Sequence, residues 1–252
     1  MSIDLSRVTG ISDSYGNIVE IKDSLGRVIW AVSGGKVILE VEKVTSDTYA
    51  GETTYTGEQF ILLDIYPKTN GTVKVTYGGL TKTITDTSGA EEPNAQQVFF
   101  GTFNGVSDSV ATPTSGELTI EGDCVAFGAG TYKTGKAGNA WCGAAIKQVI
   151  DWGENITKIP TRGFQNSKIT NLIIPATVTE IGGDAFFNCD SLSLVTLLCT
   201  IPPTLLGNLS FPTHMDGAYT ALQSIVVPKG CGDTYKTARF WSNCASVIVE
   251  VS

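Results

Sequence analysis

Residues that commonly carry catalysis are scarce in this chain. Its 252 residues include a single histidine, His214, although histidine is the side chain most often used for proton transfer near neutral pH. No cysteine or second histidine lies near it in the sequence, which favours a solvated loop residue over a metal ligand or a general base. The sequence also has no G-x-S-x-G nucleophile elbow and no G-x-x-x-x-G-K-[ST] phosphate loop. We therefore expect no enzymatic activity, no cofactor and no metal site.

Positive charge and long apolar runs are scarce as well. Lys and Arg total 17 against 25 Asp and Glu, for a net charge of -8, and the basic residues form no cluster that could neutralise a phosphate backbone. Nucleic acid is therefore not an expected partner. No apolar run reaches the length of about 18 residues that a membrane-spanning helix needs, so we expect no membrane insertion. The first residues lack a basic segment followed by an apolar one, and we expect no secretory signal peptide.

The cysteines lack the spacing of a zinc site or a redox motif. Six are present, and no pair has the C-x-x-C spacing. Because no signal peptide is expected, reduced thiols are favoured over disulfides. Cys189 closely follows Phe186 and Phe187, and such an apolar setting is typical of a small buried hydrophobic residue.

The composition favours a mainly β fold. Hydrophobic residues make up 42% and charged residues 17%, which argues against disorder, and the 28 glycines favour short strands joined by tight turns. Within residues 36–117, strands follow one another at intervals of about ten residues, with Gly78 and Gly79 as a two-residue hairpin turn. We expect an immunoglobulin-like β-sandwich here. Its expected strands are residues 36–44, 60–66, 72–77, 80–85 and 98–103.

The first 33 residues contain a short internal repeat. The turn sequence D-S-x-G begins at Asp13 and again at Asp23, and each copy leads into a short run of β-branched residues. The pattern predicts a β-hairpin that is too small to be stable alone, followed by a hinge at residues 33–35. Its apolar side chains need a partner surface, so residues 1–33 are expected to be an attachment segment. The candidate assembly residues are Ile18, Ile21, Val28 and Trp30.

The C-terminal half contains a longer repeat. Residues 156–164 and 178–186 both read [IV]-T-x-I-x-x-x-[GA]-F and lie 22 residues apart. An apolar strand precedes each copy, at Val149-Ile150 and at residues 172–174. A period of about 20 to 29 residues with apolar strand positions is typical of leucine-rich repeats, whose neighbours must stack to bury their apolar faces. The phenylalanine that ends each copy is an expected core anchor.

Residues 174–192 resemble the BspA-type leucine-rich repeats, which are common in surface proteins of gut bacteria and oral spirochaetes and in viruses of such bacteria. The stretch reads I-P-A-T-V-T-E-I-G-G-D-A-F-F-N-C-D-S-L. The resemblance implies a leucine-rich-repeat solenoid with short helices over residues 118–252, closed by a terminal cap that Trp241 seals. The chain departs from the family pattern by an extra residue near 151–153 and by a long loop at 206–221.

Several side chains of this half are candidates for contact with a ligand. Exposed strand positions of a solenoid suit ligand recognition, and the candidates there are Lys147, Gln148, Thr170 and Asn171. Trp152 is a further candidate, because it lies near the junction of the two halves and tryptophan is enriched at binding hot spots. Its ring is either a binding platform or a plug between the domains, and packing is the favoured interpretation.

The N-terminal pattern D-S-x-G-x-[IV]-V-x-I-x-D-S-x-G-R-V-I-W resembles the opening of structural proteins from tailed phages of gut Clostridia. This resemblance implies a virion surface or tail-associated protein, assembled in the host cytoplasm, that recognises a host surface protein or glycan or decorates the particle. The partners expected at the N-terminus are other virion proteins or sister subunits of a homo-oligomer. The alternative is a bacterial cell-surface adhesin, which would need a signal peptide and a wall anchor. A glycan-degrading enzyme is the third hypothesis and would need paired carboxylates on a concave site.

Overall fold

The structure, a computed structural model, describes a set of separate ranges of the chain. His214, the two D-S-x-G turns and most of the expected hinge lie outside the described residues. Strands dominate the described part, and helices are few and short, which confirms a mainly β protein. The ranges are residues 9–12, 18–22, 28–31, 35–45, 58–87, 94–103, 106–110, 112–129, 131–133, 140–142, 146–208, 210–211 and 222–251, with backbone alone described at 9–31, 44–45 and 131–142.

The N-terminal segment forms a three-stranded antiparallel sheet. Its strands are β1 (Thr9–Ser12), β2 (Ile18–Lys22) and β3 (Val28–Ala31), in the order β1-β2-β3. The expected hairpin corresponds to β2 and β3, and β1 is an additional strand. The sequence of β1 is four residues long and includes a glycine, which is too little for an alternating pattern to emerge. The side chains of Ile18, Ile21, Val28 and Trp30 lie outside the described residues.

Two five-stranded antiparallel sheets follow. Their strands are β4 (Lys36–Val41), β5 (Val44–Thr45), β6 (Gln59–Pro67), β7 (Thr72–Tyr77), β8 (Leu80–Thr85), β9 (Gln96–Phe103), β10 (Val106–Ser107), β11 (Gly116–Gly122), β12 (Cys124–Ala129) and β15 (Ile146–Trp152). The first sheet has the order β10-β9-β6-β12, with β5 paired to β6, and the second has the order β15-β4-β11-β7-β8. A separate antiparallel pair is formed by β13 (Thr131–Lys133) and β14 (Ala140–Cys142).

The two sheets pack against each other through their apolar faces. Side chains alternate between buried and exposed along β7, so that Val73 and Val75 point to the core. Tyr77 from the second sheet contacts Phe100 from the first, with ring centroids 5.5 Å apart. Buried residues of both sheets belong to one hydrophobic cluster. The alternation that identified these strands in the sequence therefore reflects one buried and one solvated face.

The hairpin between β7 and β8 forms where it was expected. Gly78 and Gly79 have φ values of 57° and 80°, the left-handed region that a two-residue type I′ turn requires at both positions. The pairing of Tyr77 with Leu80 starts the ladder directly beside the turn. Glycine is needed here because a side chain would be strained at either position.

The sheets extend past the domain boundary that was expected at residue 117. That boundary falls inside β11, which pairs with β4 and β7. The strands that follow also belong to the sheets, since β12 pairs with β6 and β15 pairs with β4. Val149-Ile150, the expected first strand of the repeats, is thus part of an antiparallel sheet. Gly153, at φ 63°, ends β15, and a Cβ on it would lie 3.0 Å from the backbone of Lys36.

Beyond β15 the strands run parallel and stack from one repeat to the next. They form two parallel sheets. The first, which we call the short ladder, consists of β16 (Lys158–Ile159), β18 (Glu180–Ile181) and β20 (Thr204–Leu205). The second, which we call the long ladder, consists of β17 (Asn171–Ile174), β19 (Leu194–Leu197), β21 (Ser224–Val227) and β22 (Ile248–Glu250). In the short ladder Lys158 pairs with Glu180 and Glu180 with Thr204. A terminal cap contains helix α1 (Gly232–Thr237) and a 3-10 helix (Trp241–Val247).

A column of aromatic rings fills the space between the two ladders. Phe164 stacks on Phe186 and Phe186 on Phe211, each pair with centroids 5.4 Å apart. Trp241 of the cap continues the column at 5.3 Å from Phe211, and its indole Nε1 donates to the carbonyl of Pro203 at 2.8 Å. All four rings are buried. The phenylalanine that ends each sequence repeat is therefore the core anchor of that repeat, and Trp241 closes the column.

Candidate interaction surface

The edge strand β12 docks on the first repeat of the short ladder. The amide of Thr157 donates to the carbonyl of Val125 at 3.0 Å, and the amide of Ala129 donates to the carbonyl of Gly163 at 2.6 Å. Between repeats, the amide of Thr179 donates to the carbonyl of Thr157 at 2.9 Å in the same manner. Strand β12 of the first sheet thus takes the place that a preceding repeat would occupy.

This docking depends on the close approach of two glycines. A Cβ built on Gly128 would lie 2.7 Å from the Cα of Gly163, which is nearer than side-chain carbons pack. Beneath them Phe127 contacts Phe164, with centroids 5.9 Å apart, and Trp152 at 5.3 Å. The aromatic column therefore begins inside the two sheets and continues through the repeats.

Trp152 is part of this packing and is not a surface residue. It is 3% exposed, contacts Phe164 at 6.0 Å between centroids, and donates from Nε1 to the carbonyl of Ile173 at 2.5 Å. The prediction of Trp152 as a ligand contact is corrected by this burial. Its ring plugs the junction, which was the favoured interpretation, because the antiparallel pairing of β15 with β4 turns it inward.

The other candidate ligand contacts lie at the surface but on separate strands. Lys147 and Gln148 are exposed on β15, and Lys147 forms an ion pair with Glu40 at 3.2 Å. Thr170 is exposed just before β17, where its carbonyl accepts the amide of Ser193 at 2.8 Å. Asn171, at the start of β17, is half-buried. Among the described contacts, no hydrogen bond or ion pair links Lys147 or Gln148 to Thr170 or Asn171. The four residues are therefore not joined into one site by such contacts.

The outer side of the short ladder has a groove that none of the predicted site residues lines. A cavity of about 240 Å³ lies between β12 and the ladder, with Lys158 and Glu180 in its lining. A second cavity of about 270 Å³ lies between β20 and the terminal cap, lined in part by Arg239 and Phe240. Leu206 lines both cavities and is 54% exposed. We call these two cavities together the ladder groove.

The ladder groove has a strong apolar component at its C-terminal end. Pro202 lines the second cavity beside Leu206, and Ile201, which precedes Pro202 in the sequence and lines neither cavity, is 79% exposed. Exposed apolar residues that cluster around a concave surface are typical of sites that bind a partner. The sequence contained one relevant indication, the Pro202-Pro203 pair, because proline has no amide hydrogen and disturbs a strand ladder. Leu206 itself lies at the start of the expected long loop, where no periodicity identifies it.

Charges along the groove are arranged in two ways. Lys158 and Glu180 pair across neighbouring rungs at 3.7 Å, and such half-exposed pairs contribute little to stability. Arg239 places its guanidinium carbon 4.7 Å from the ring centroid of Phe240. None of the ion pairs described in this part of the chain includes Arg239. The cation of Arg239 is thus held at the groove wall by an aromatic ring.

The described cysteines are arranged for packing. Cys124, Cys189, Cys199, Cys231 and Cys244 form no disulfide. Burial raises the pKa of Cys124 to about 12, and burial likewise raises the pKa of Cys189 and of Cys199 to about 11. The thiols of these three residues are protonated near neutral pH and are weak nucleophiles. Cys189 instead donates to the carbonyl of Phe164 at 2.9 Å and so links two repeats.

Two further observations concern metals and membranes. Among the described side chains, no group of three or more His, Cys, Asp and Glu residues is placed to hold a metal ion. No helix in the described ranges combines the length and apolar character needed to cross a bilayer.

Comparison with known protein families supports the sequence-based resemblance of the C-terminal half. A family model described as the BspA type leucine-rich-repeat region (6 copies) matches residues 139–246. This region includes the short ladder, three of the four strands of the long ladder and most of the terminal cap, and it does not include the N-terminal segment. The comparison with curated proteins finds no match. Residues 139–246 are therefore similar to the BspA-type leucine-rich repeats, and the resemblance of residues 1–33 to phage structural proteins stays a hypothesis.

Proposed function

We propose that the protein is a non-enzymatic protein-interaction module that works at a biological surface. In this proposal an immunoglobulin-like sandwich of residues 36–152 carries a leucine-rich-repeat solenoid, and the ladder groove binds a partner protein. The observation that supports the proposal most directly is the exposed Leu206 between two adjoining cavities. The similarity of residues 139–246 to a repeat family common in surface proteins agrees with it.

Rigidity of the groove is a second support. One wall is β12, which is hydrogen-bonded into the first sheet and onto the first repeat. The far wall is the cap, where Tyr235 donates its hydroxyl to the carbonyl of Cys199 at 2.8 Å and Trp241 bonds to Pro203. A preorganised site loses little conformational entropy on binding. We therefore expect the groove to keep this conformation when a ligand binds.

The N-terminal sheet β1–β3 has an attachment role in the same proposal. It pairs with no strand of the two large sheets or the ladders among the described residues. Residues 1–33 join sister subunits or other proteins of an assembly, and their resemblance to phage structural proteins favours a virion as that assembly. The protein then recognises a host surface protein. A bacterial cell surface is the alternative location.

Binding by the ladder groove is tested with defined probes. The full chain is immobilised and offered a random peptide library and a glycan array, and the same is done for Leu206→Asp. As a matched control, Val106→Asp makes the same change at an exposed apolar residue of β10, which is 58% exposed. We expect peptide ligands to be enriched, with affinity reduced about tenfold or more by Leu206→Asp and unchanged by Val106→Asp. Binding to glycans alone, or peptide binding indifferent to Leu206→Asp, contradicts the proposal.

A further inference from the structure

The short ladder ends one strand earlier than the long ladder. The long ladder has four strands, and its last strand, β22, follows the terminal cap in the sequence. The short ladder has three strands in the described part of the chain and ends at β20. The second cavity of the ladder groove lies beside β20, where a fourth strand would be placed.

Backbone geometry shows which groups of β20 face this cavity. The amides of Thr204 and Leu206 donate to the carbonyls of Thr179 and Ile181, each at 2.9 Å. Alternate residues of a strand direct their amide and carbonyl groups to opposite neighbours. Because Leu205 lies between these two donors and pairs with Ile181 in the register, its own amide and carbonyl point away from β18. One donor and one acceptor are therefore presented at the edge.

The cap already supplies one contact of the kind that a further strand would make. Within the short ladder, carbonyls of one strand accept from the next strand, as the carbonyl of Thr179 does from Thr204. The carbonyl of Pro203, at the equivalent level of β20, accepts the indole Nε1 of Trp241. Among the described residues, Trp241 thus satisfies the first position of this edge, and the position of Leu205 is left to another donor.

The wall opposite β20 combines a strained residue with a cation. Phe240 has φ 64°, a left-handed conformation that is unfavourable for an aromatic side chain and that tends to be retained at binding sites. This conformation sets the ring of Phe240 in the cavity lining, with Arg239 above it. The cation of Arg239 selects for negative charge at this wall, although the protein as a whole carries a net charge of -8.

We propose that the outer edge of β20 binds an extended peptide segment as a fourth, parallel strand of the short ladder. The inference rests on the proposed function and specifies how the groove would bind its protein partner. The peptide exchanges hydrogen bonds with the amide and carbonyl of Leu205. An apolar side chain of the peptide packs on Leu206 and Phe240, and an acidic side chain of the peptide pairs with Arg239. The recognised chemistry is therefore an extended, acidic-apolar peptide.

The test uses the full chain and synthetic peptides taken from the library enriched above. Each peptide is scanned with single N-methyl substitutions, which remove one amide hydrogen without altering a side chain. Addition to this edge predicts an affinity loss of about tenfold at the single peptide position whose amide donates to the carbonyl of Leu205, and small losses at the other positions. Side-chain docking without strand pairing predicts no such sensitive position, and that result overturns the inference while the effect of Leu206→Asp still supports the proposed function.

The charge of the recognised peptide is tested with Arg239→Glu and Arg239→Gln. We expect Arg239→Glu to shift the enriched library from acidic to basic peptides, and Arg239→Gln to abolish the acidic preference. Lys74→Glu is the matched control, because it makes the same charge change at an exposed position of β7. Unchanged peptide preference in a folded Arg239→Glu variant overturns the inference. Self-association that Arg239→Glu abolishes and the peptides fail to compete would also overturn it, since a second copy would then occupy the edge.

Discussion

Phe164 and Phe186 stack nearly face to face, with ring centroids 5.4 Å apart and ring planes inclined by 19°. The next pair, Phe186 with Phe211, repeats this geometry at 5.4 Å and 18°. The two intervals in the sequence differ, because three more residues separate the second pair than the first. The column of rings therefore holds the repeats in spatial register although their lengths vary, and Phe186 stacks on a phenylalanine on each side.

Replacement of Phe186 by alanine is expected to be among the most destabilising changes in this chain. The side chain is fully buried, and its removal leaves a cavity between two aromatic rings. We expect a loss of about 3 to 5 kcal/mol in the free energy of unfolding, measured by denaturant unfolding. Phe186→Leu should lose less because it fills part of the cavity. Ile201→Ala, at a residue that is 79% exposed, is the control, and equal melting temperatures for all three would contradict the anchor role.

Neighbouring glycines offer a sharper test of how the repeats pack. A Cβ on Gly182 would lie 2.5 Å from the Cα of Thr161 in the preceding repeat, whereas a Cβ on Gly183 would meet nothing nearer than 3.9 Å. We expect Gly182→Ala to cost about 1 to 3 kcal/mol through overpacking. Gly183→Ala should leave the stability close to that of the wild type. The measurement is thermal unfolding of the two variants under the same conditions. Similar losses of stability in both would contradict the close approach of Gly182 to Thr161 in the preceding repeat.

The sequence predicts the individual elements of this fold better than their long-range contacts. The strands around Gly78 and Gly79 were predictable because alternation and turn chemistry are local. Phe164 and Phe186 were predictable because their positions recur. The docking of β12 on the first repeat was not, since two backbone edges that pair across the fold leave no pattern in either segment. For the same reason, the sequence around Trp152 does not indicate that its side chain points into the core.

The ladder groove was harder to predict from the sequence than the individual strands. Lys147 and Thr170 were predicted as exposed, and they are, but exposure alone does not form a site. Leu206 and Phe240 meet at one cavity only because β20 and the cap fold toward each other. The left-handed backbone of Phe240 depends on that packing, and no local preference of phenylalanine predicts it.

The reactivity of the thiols follows from their burial. In a Cys142→Ser background, five thiols remain, and all are described as free. Only Cys231 is partly exposed, although burial and the nearby Glu250 raise its pKa. We expect a single thiol to react with a colorimetric reagent in the native protein at mildly alkaline pH, and all five after unfolding without reductant. Fewer than five after unfolding would reveal a disulfide, and fast reaction of several native thiols would contradict the buried positions of Cys124, Cys189 and Cys199.

Glu250 should make the stability of the cap depend on pH. Its carboxylate accepts the amides of Gly230 at 2.9 Å and Gly232 at 2.7 Å, and these hydrogen bonds lower its pKa below the ordinary value of 4.5. A depressed folded-state pKa means that the unfolded chain takes up the proton first as the pH falls. The stabilisation is therefore complete above pH 4.5 and is lost as the pH falls through the folded-state pKa.

The measurement compares Glu250→Gln with the wild type across this acidic range. We expect the variant to melt at a lower temperature near pH 7 and the gap to close below pH 4.5. Glu154→Gln, at an exposed carboxylate without described hydrogen bonds to the cap, should show a gap that does not follow this course. A Glu250→Gln gap that stays constant down to the lowest pH would show that the hydrogen bonds to the carboxylate do not stabilise the folded protein.

The division of work between the N-terminal segment and the rest of the chain is open to a direct test. Strand β4 begins at Lys36 and pairs with β11 and β15, and none of these pairings involves β1–β3. A chain that begins at Lys36 should therefore keep the unfolding transition of the two sheets and the ladders. If residues 1–33 mediate assembly, light scattering should show that the truncated chain loses any self-association of the full chain. A truncated chain that associates like the full one would contradict this role, because the interface would then lie on the sheets or the ladders.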